Sequence, residues 1–304
     1  MHFSNSGSSP LRLLVTGALF ALGLGVGASL TTLSAKAATA EVNFSADVAV
    51  VPARVQLAYT SSANGLSTEQ RADILRAGEL ANEGVQAFTG GDAEQAFEKW
   101  QQAMLLYQQA EDLAGEGRML ENLSVIHRLA DRAQAAVEMS EQALARYEEL
   151  GVADEQSSLY LNLGSAYRLA GQIPAAIAAY TRGLEIYQQE RDESGQRIML
   201  SLLAQVYEDQ GDYGRTIGYQ TQILEIAQRA GDLVMEAEAL SELGYAYVMS
   251  DQPAVAMTYF QPALALFRQL GDRAQEVVTL NNLGRAAALS QTTLKLLMHI
   301  SRPG

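Results

Sequence analysis

Apolar residues recur along the chain with a period of forty residues, from about Leu80 to Leu289, without insertion or deletion. The clearest column has Glu83 in the first unit, which departs most from the pattern, and then leucine in each later unit: Leu123, Leu163, Leu203, Leu243 and Leu283. A period in this range is typical of stacked supersecondary units that are each too small to bury their own apolar face. Each unit has the pattern of two antiparallel helices, so the sequence predicts an all-α repeat array.

Turn and capping residues follow the same period. In the third unit, Ala170-Gly171-Gln172 separates a predicted helix over about 154–169 from a second helix over about 174–190. Pro174 suits the first turn of that second helix, where its missing N–H costs nothing. Glycines such as Gly231 can adopt the left-handed conformation that ends a helix, and Asp232 directly after it can cap the next helix.

Small residues form a column in the first helix of each unit, where a neighbouring helix must approach closely: Gly84, Ser124, Gly164, Ala204, Gly244 and Gly284. Three residues later stand bulky side chains such as Tyr167, Tyr207 and Tyr247. This alternation leaves space for the side chains of a neighbouring helix. A helix start near Thr68 is expected to shield the first unit.

The pattern fails on the C-terminal side. After Leu289 the columns are lost, and Gln291 stands where the turn glycine is expected. We therefore expect the first helix of the sixth unit to end near Ala288, and we interpret residues 290–304 either as a cap over the last interface or as the tail of a truncated chain. Pro262, inside a predicted helix, is expected to bend that helix.

Composition narrows the possible chemistry. The chain has no Cys, which excludes disulfides, thiolate metal sites and a Cys nucleophile. Its formal net charge of −14 disfavours nucleic-acid binding, because that function requires a basic stripe. The small number of Pro, six among 304 residues, is typical of a helical chain.

The first forty residues have the features of a signal peptide. Arg12 precedes an uncharged, mostly apolar stretch over 13–30, and cleavage is possible after Ala37 or Ala40. We predict Sec-type export to a periplasm, a lumen or the extracellular space, with no stable membrane insertion after cleavage. The alternative is an uncleaved anchor, because eighteen residues are at the lower edge of a spanning length. Residues 41–67 are interpreted as a linker.

The stretch LNLGSAY over 161–167, followed by Gly171, Ala176 and Tyr180, resembles the tetratricopeptide repeat (TPR), in its long-helix form of about forty residues. This resemblance implies a right-handed superhelical solenoid of antiparallel helix pairs over 68–289, with five full repeats plus one further helix. The implied repeats cover about 78–117, 118–157, 158–197, 198–237 and 238–277, and a partial repeat covers 278–289.

The resemblance also implies a concave groove, lined by the first helix of each repeat, that binds a peptide or a protein. Long-helix members carry Asn just before the Leu-Gly pair, and this row reads Asn82, Asn122, Asn162, Leu202, Glu242 and Asn282. An Asn amide both donates and accepts, so the row suits recognition of a peptide main chain. The alternative is that Asn is merely tolerated on an exposed helix face.

Arg128 and Arg168 lie one repeat apart, six residues after the Asn row. Two Arg at this spacing can hold a carboxylate of a ligand. The alternative is surface ion pairing with neighbouring acids, and Glu208 at the next position of the column weakens the ligand hypothesis.

The sequence shows no catalytic, cofactor-binding or metal-binding constellation. His127 stands in the column of Tyr167, so it is expected to pack between helices, and Trp100 is expected to pack in the core. The acidic pairs Glu111-Asp112 and Asp154-Glu155 are interpreted as solvated turn residues. We therefore predict that the chain is not an enzyme and uses no cofactor.

The leading functional hypothesis is an exported, non-enzymatic scaffold that binds a peptide or protein partner. The alternative follows from Gly271-Asp272-Arg273 between units, which resembles repeat arrays that precede caspase-like CHAT peptidase domains. The chain would then be the truncated or split sensor arm of such a peptidase, without its catalytic domain. A structural role in one large envelope or lumenal assembly is a third possibility.

Overall fold

The structure, a computed structural model, describes residues 66–152 and 157–300, with side chains described as far as residue 291. The predicted signal peptide and nearly all of the predicted linker lie outside these residues. Within the described ranges the chain forms eleven helices: α1 (Thr68–Thr89), α2 (Ala93–Gln109), α3 (Leu113–Leu129), α4 (Ala133–Glu149), α5 (Ser157–Leu169), α6 (Ile173–Glu190), α7 (Glu193–Asp209), α8 (Tyr213–Ala230), α9 (Leu233–Met249), α10 (Pro253–Leu270) and α11 (Arg273–Ile300). The all-α prediction is confirmed, and none of the described helices is long and apolar enough to cross a membrane.

Short turns between consecutive helices repeat one hydrogen-bond pattern. After α1, the N–H of Asp92 donates to the carbonyl of Ala87 over 2.8 Å; after α7, the N–H of Asp212 donates to that of Tyr207 over 2.9 Å. Bonds of this type close a helix end through a residue in the left-handed conformation. Gly91 and Gly211 supply that conformation, with φ of 87° and 73°.

The start of α1 is fixed by a capping box. The Ser67 hydroxyl accepts from the Gln70 N–H over 3.1 Å, and the Gln70 side chain accepts from the Ser67 N–H over 3.0 Å. Two donors at the helix start are thereby satisfied. The predicted helix start near Thr68 is confirmed.

The chain divides into two compact units, and the first contains α1 to α5. Trp100 of α2 is fully buried and lies against Gly84 of α1, and its indole N–H donates to the carbonyl of Ala81 over 3.1 Å. At the equivalent position of the next hairpin, the Ser124 hydroxyl lies 2.6 Å from that of Ser140. The small-residue column therefore marks close helix contacts, as predicted.

The second unit contains α6 to α11 and repeats this packing. Phe260 of α10 is fully buried against Gly244 of α9, where an added Cβ would lie 2.6 Å from the ring. The predicted tyrosine column stacks on the second helix of its hairpin: the rings of Tyr207 and Tyr219 have centroids 5.7 Å apart, and those of Tyr247 and Tyr259 have centroids 5.1 Å apart.

The C-terminal helix differs from the expectation. The sequence predicted an end near Ala288, but α11 continues without a break to Ile300. The physical reason is that Gln291 replaces the residue that turns left-handed in the inner repeats, and no helix breaker follows before Pro303. Pro262 lies inside α10, which extends as one helix from Pro253 to Leu270.

Candidate functional site

The predicted site residues lie on the first helix of each hairpin. In each of the two compact units, we call the A face the surface formed by the Asn-row positions and the positions three residues later. In the first unit it consists of Asn82 and Val85 in α1, Asn122 and Val125 in α3, and Asn162 and Ser165 in α5; in the second unit it consists of Leu202 and Gln205 in α7, Glu242 and Tyr245 in α9, and Asn282 and Arg285 in α11.

In the first unit, one Asn of the predicted row is used for packing. Asn162 is only 2% exposed, and its side-chain oxygen accepts a hydrogen bond from the Arg128 guanidinium over 3.4 Å. Arg128 and Asn162, two residues of neighbouring repeats that were predicted to bind a ligand, are therefore hydrogen-bonded to each other. Asn122 is half-buried, whereas Asn82 and Arg168 are exposed.

The middle of the first unit's A face is closed by neighbouring side chains. Val125 is 2% exposed, and Glu121 beside it is also buried. One Glu121 oxygen accepts from the Tyr147 hydroxyl over 3.0 Å. Burial, followed by the charge and the hydrogen bond of Glu121, raises the pKa of Tyr147 well above its ordinary value. A ligand therefore finds little open surface along α3.

In the second unit, the A face is more open and polar. Gln205, Glu242, Tyr245 and Asn282 are all half-buried, and Arg285 is exposed. The Arg285 guanidinium lies 3.4 Å from the sulfur of Met249, the last residue of α9.

These polar groups share one electrostatic environment across three helices. Partial burial is the main cause that raises the pKa of Tyr245, and the charges of Glu208 and Glu242 raise it further, while Arg285 lowers it. The A face of the second unit therefore offers a phenol, amides, a carboxylate and a guanidinium, and together they can both donate and accept hydrogen bonds.

His127 packs as the sequence predicted. Its ring meets that of Phe97 edge to face, with centroids 5.6 Å apart, and burial together with the charge of Arg132 lowers its pKa. Among the described residues, no group of three or more His, Asp or Glu is arranged to hold a metal ion.

A repeated carboxylate at the junctions between hairpins was missed by the sequence analysis. Glu116 accepts from Gln108 over 2.9 Å, Glu236 accepts from Gln228 over 3.0 Å, and Glu276 accepts from Arg268 over 2.8 Å. Each donor lies eight residues before its Glu, at the end of the preceding helix. The three Glu occupy one column of the forty-residue repeat, each with its donor eight residues earlier, and this spacing could have been recognised in the sequence.

Comparison with known families agrees with the repeat geometry. The family model described as "Tetratricopeptide repeat" matches residues 118–189 and 195–269. The chain is a tetratricopeptide repeat protein. A search of curated protein sequences gave no match.

Solved structures of other TPR proteins resemble this one in fold. A kinesin light chain of Podosopora anserina with nearly identical TPR-like repeats shares 16% identity and a TM-score of 0.56, covering 63% of this chain and 95% of its own. The apo form of RapI shares 16% identity and a TM-score of 0.62, and the match covers 73% of this chain and 61% of RapI. BtubC of P. vanneervenii shares 18% identity and a TM-score of 0.51, and the match covers 74% of this chain and 94% of BtubC. At these identities the likeness concerns the fold alone.

Proposed function

We propose that this TPR protein is an exported, non-enzymatic scaffold that binds a segment of a partner protein on the A face of its second unit. TPR arrays are in general protein-interaction modules. The observation that carries the proposal is that the A face of the second unit is half-open at both Gln205 and Tyr245, whereas the middle of the first unit's A face is closed at Val125.

The chemistry of this face supports recognition of a peptide backbone. Gln205 and Asn282 carry amides that can pair with the N–H and C=O groups of an extended segment. Tyr245 adds a hydroxyl and an aromatic surface, which are common in binding interfaces. Because Glu242 and Leu202 replace Asn at two of the three Asn-row positions of the second unit, the proposed binding face also depends on residues outside the Asn row.

The experiment is affinity capture from the native compartment with the full chain and with a triple variant, Gln205→Ala, Glu242→Ala and Tyr245→Phe. These changes remove polar groups but keep the Tyr245 ring, which packs beside the Phe260 cluster. The matched control is Gln222→Ala, Glu225→Ala and Thr221→Val, on exposed positions of α8.

We expect the wild type and the control to retain the same partner protein. The affinity of the A-face variant for this partner should be at least about tenfold lower, which corresponds to roughly 1.4 kcal/mol of binding free energy. Equal retention by the two variants would show that the A face of the second unit is not the binding surface.

Export is the second part of the proposal, and it rests on the sequence of residues 1–40. Expression of the full chain in a Sec-competent host should release a mature protein whose first residue, by mass spectrometry, follows Ala37 or Ala40. An intact N-terminus on protein held in the membrane would instead favour the anchor. The relationship to CHAT peptidases stays a prediction.

A further inference from the structure

Helix α11 exposes an apolar face that the equivalent inner helices bury. Val277 is 57% exposed and Leu280 is 41% exposed, whereas Ala237 and Leu240, at the same positions of α9, are 0% and 7% exposed. We call Val277, Leu280 and Gly284 the open face of α11. It lies apart from the A face and does not depend on the proposed function.

The opposite side of α11 is firmly packed. Ala286 is fully buried and belongs, with Leu283, to the cluster around Phe260 of α10. Glu276 accepts hydrogen bonds from Arg268 over 2.8 Å and from Arg273 over 2.9 Å. The helix is therefore held in place while its open face is presented to solvent.

The open face of α11 lacks an aromatic ring packed against Gly284. At two of the equivalent glycines, Gly84 and Gly244, an aromatic ring from the second helix of the hairpin fills the space where a Cβ would stand. At Gly284, apart from its chain neighbours and the backbone of its own helix, no heavy atom lies within 4 Å of that position. The two rings come sixteen residues after their glycines, but the sixteenth residue after Gly284 is Ile300, in α11 itself. It lies roughly 24 Å along the same helix axis and cannot fold back onto the glycine.

The helices that pack against the equivalent glycines, α2 and α10, indicate which side chains a helix bound to the open face would need. In α2 the ring of Trp100 lies between Ala96 and Ala103, and in α10 the ring of Phe260 lies between Ala256 and Ala263. All six side chains are fully buried. An aromatic residue with alanine four positions before and three positions after it is thus the pattern that this interface accepts.

We propose that the open face of α11 binds an amphipathic helix of a partner protein, with an aromatic residue that inserts over Gly284 and small residues four positions before and three after it. The site continues the stacking interface that the chain already uses between α9 and α10. A helix bound there adds the second member of a hairpin in trans, as in other helix-in-groove recognition.

The probe is a labelled synthetic peptide with the sequence of α2, Ala93–Gln109, which carries this pattern. Its binding to the full chain is measured by fluorescence anisotropy. We expect saturable binding that weakens at least tenfold for the Leu280→Glu chain, for the Gly284→Leu chain, and for the peptide with Trp100→Ala. Leu280 and Gly284 are exposed, so thermal melting followed by circular dichroism should change little in either variant.

The matched control is Leu75→Glu, at a leucine of α1 in the first unit that is 72% exposed. It should leave peptide binding unchanged. Binding that survives Leu280→Glu would mean that the peptide exchanges with α2 instead, and it would overturn the proposal. A chain dimer in sedimentation that Leu280→Glu converts to a monomer would also overturn it, because the occupant would then be a second copy.

Discussion

At the scale of single residues, four turn positions within the described ranges hold the left-handed conformation without glycine. They are Glu111, Asp131, Arg191 and Asp251, with φ between 56° and 60°. A Cβ in this conformation costs roughly 1–2 kcal/mol, so these turns are held by the helices that they join. The sequence columns place a turn there but do not identify this strain, since glycines occupy the same two columns: Gly171 and Gly211 in that of Asp131 and Asp251, and Gly151 and Gly231 in that of Glu111 and Arg191.

Relief of this strain is testable at Glu111, which is exposed. Glu111→Gly should raise the free energy of unfolding by about 1 kcal/mol, because glycine adopts a positive φ without steric cost. Gly211→Ala, the reverse change at φ 73°, should lower it by a similar amount. Chemical denaturation measures both, and a Glu111→Gly chain less stable than the wild type would contradict this account.

Tyr167 provides a second residue-scale prediction. Desolvation, followed by its hydrogen bond to Glu141 over 2.8 Å, raises the pKa of Tyr167 to about 12. Since the folded pKa exceeds the ordinary value of about 10, the stabilising contribution is complete below pH 10 and is lost as pH rises toward 12. Ultraviolet difference titration of the wild type against Tyr167→Phe isolates this group, and Glu141→Gln should lower its pKa. An unchanged pKa in Glu141→Gln would refute the role of the carboxylate.

At the scale of elements, the junctions between hairpins depend on buried carboxylates. Glu116 is 6% exposed; besides Gln108, it binds the Nε of Arg146, on the second helix of the next hairpin, over 2.8 Å. One side chain at the start of α3 therefore ties α2 to α4. Glu236 makes the equivalent bond to Gln228 at a more exposed junction.

Removal of the two carboxylates should have unequal effects. Glu116→Ala should lower the free energy of unfolding by about 2 kcal/mol, because Arg146 and Gln108 lose an acceptor in a buried place. Glu236→Ala should cost less than about 1 kcal/mol, because water replaces the carboxylate there. Urea denaturation of the two variants compares them directly, and equal losses would show that burial does not set the strength of these junctions.

At the scale of the whole molecule, the forty-residue columns predicted which side chains are buried and where helices turn. Leu203 and Leu243 are fully buried, and α6 begins and ends within one residue of its predicted bounds. The columns could not predict how open the A face is, since Asn162 and Asn282 occupy the same column but differ in burial. Asn162 contacts the Arg128 side chain of another helix, and a column of single positions does not show such contacts between helices. The columns did not indicate the continuation of α11, because a helix can extend beyond the point where the repeat pattern is lost.

Hydrogen–deuterium exchange of the full chain, with and without its captured partner, tests most directly where binding takes place. The account predicts slower exchange in α7 and α9, whose residues form the open A face of the second unit, and little change in α3, which is already closed. Protection confined to α3, or to the second helices α8 and α10, would contradict it.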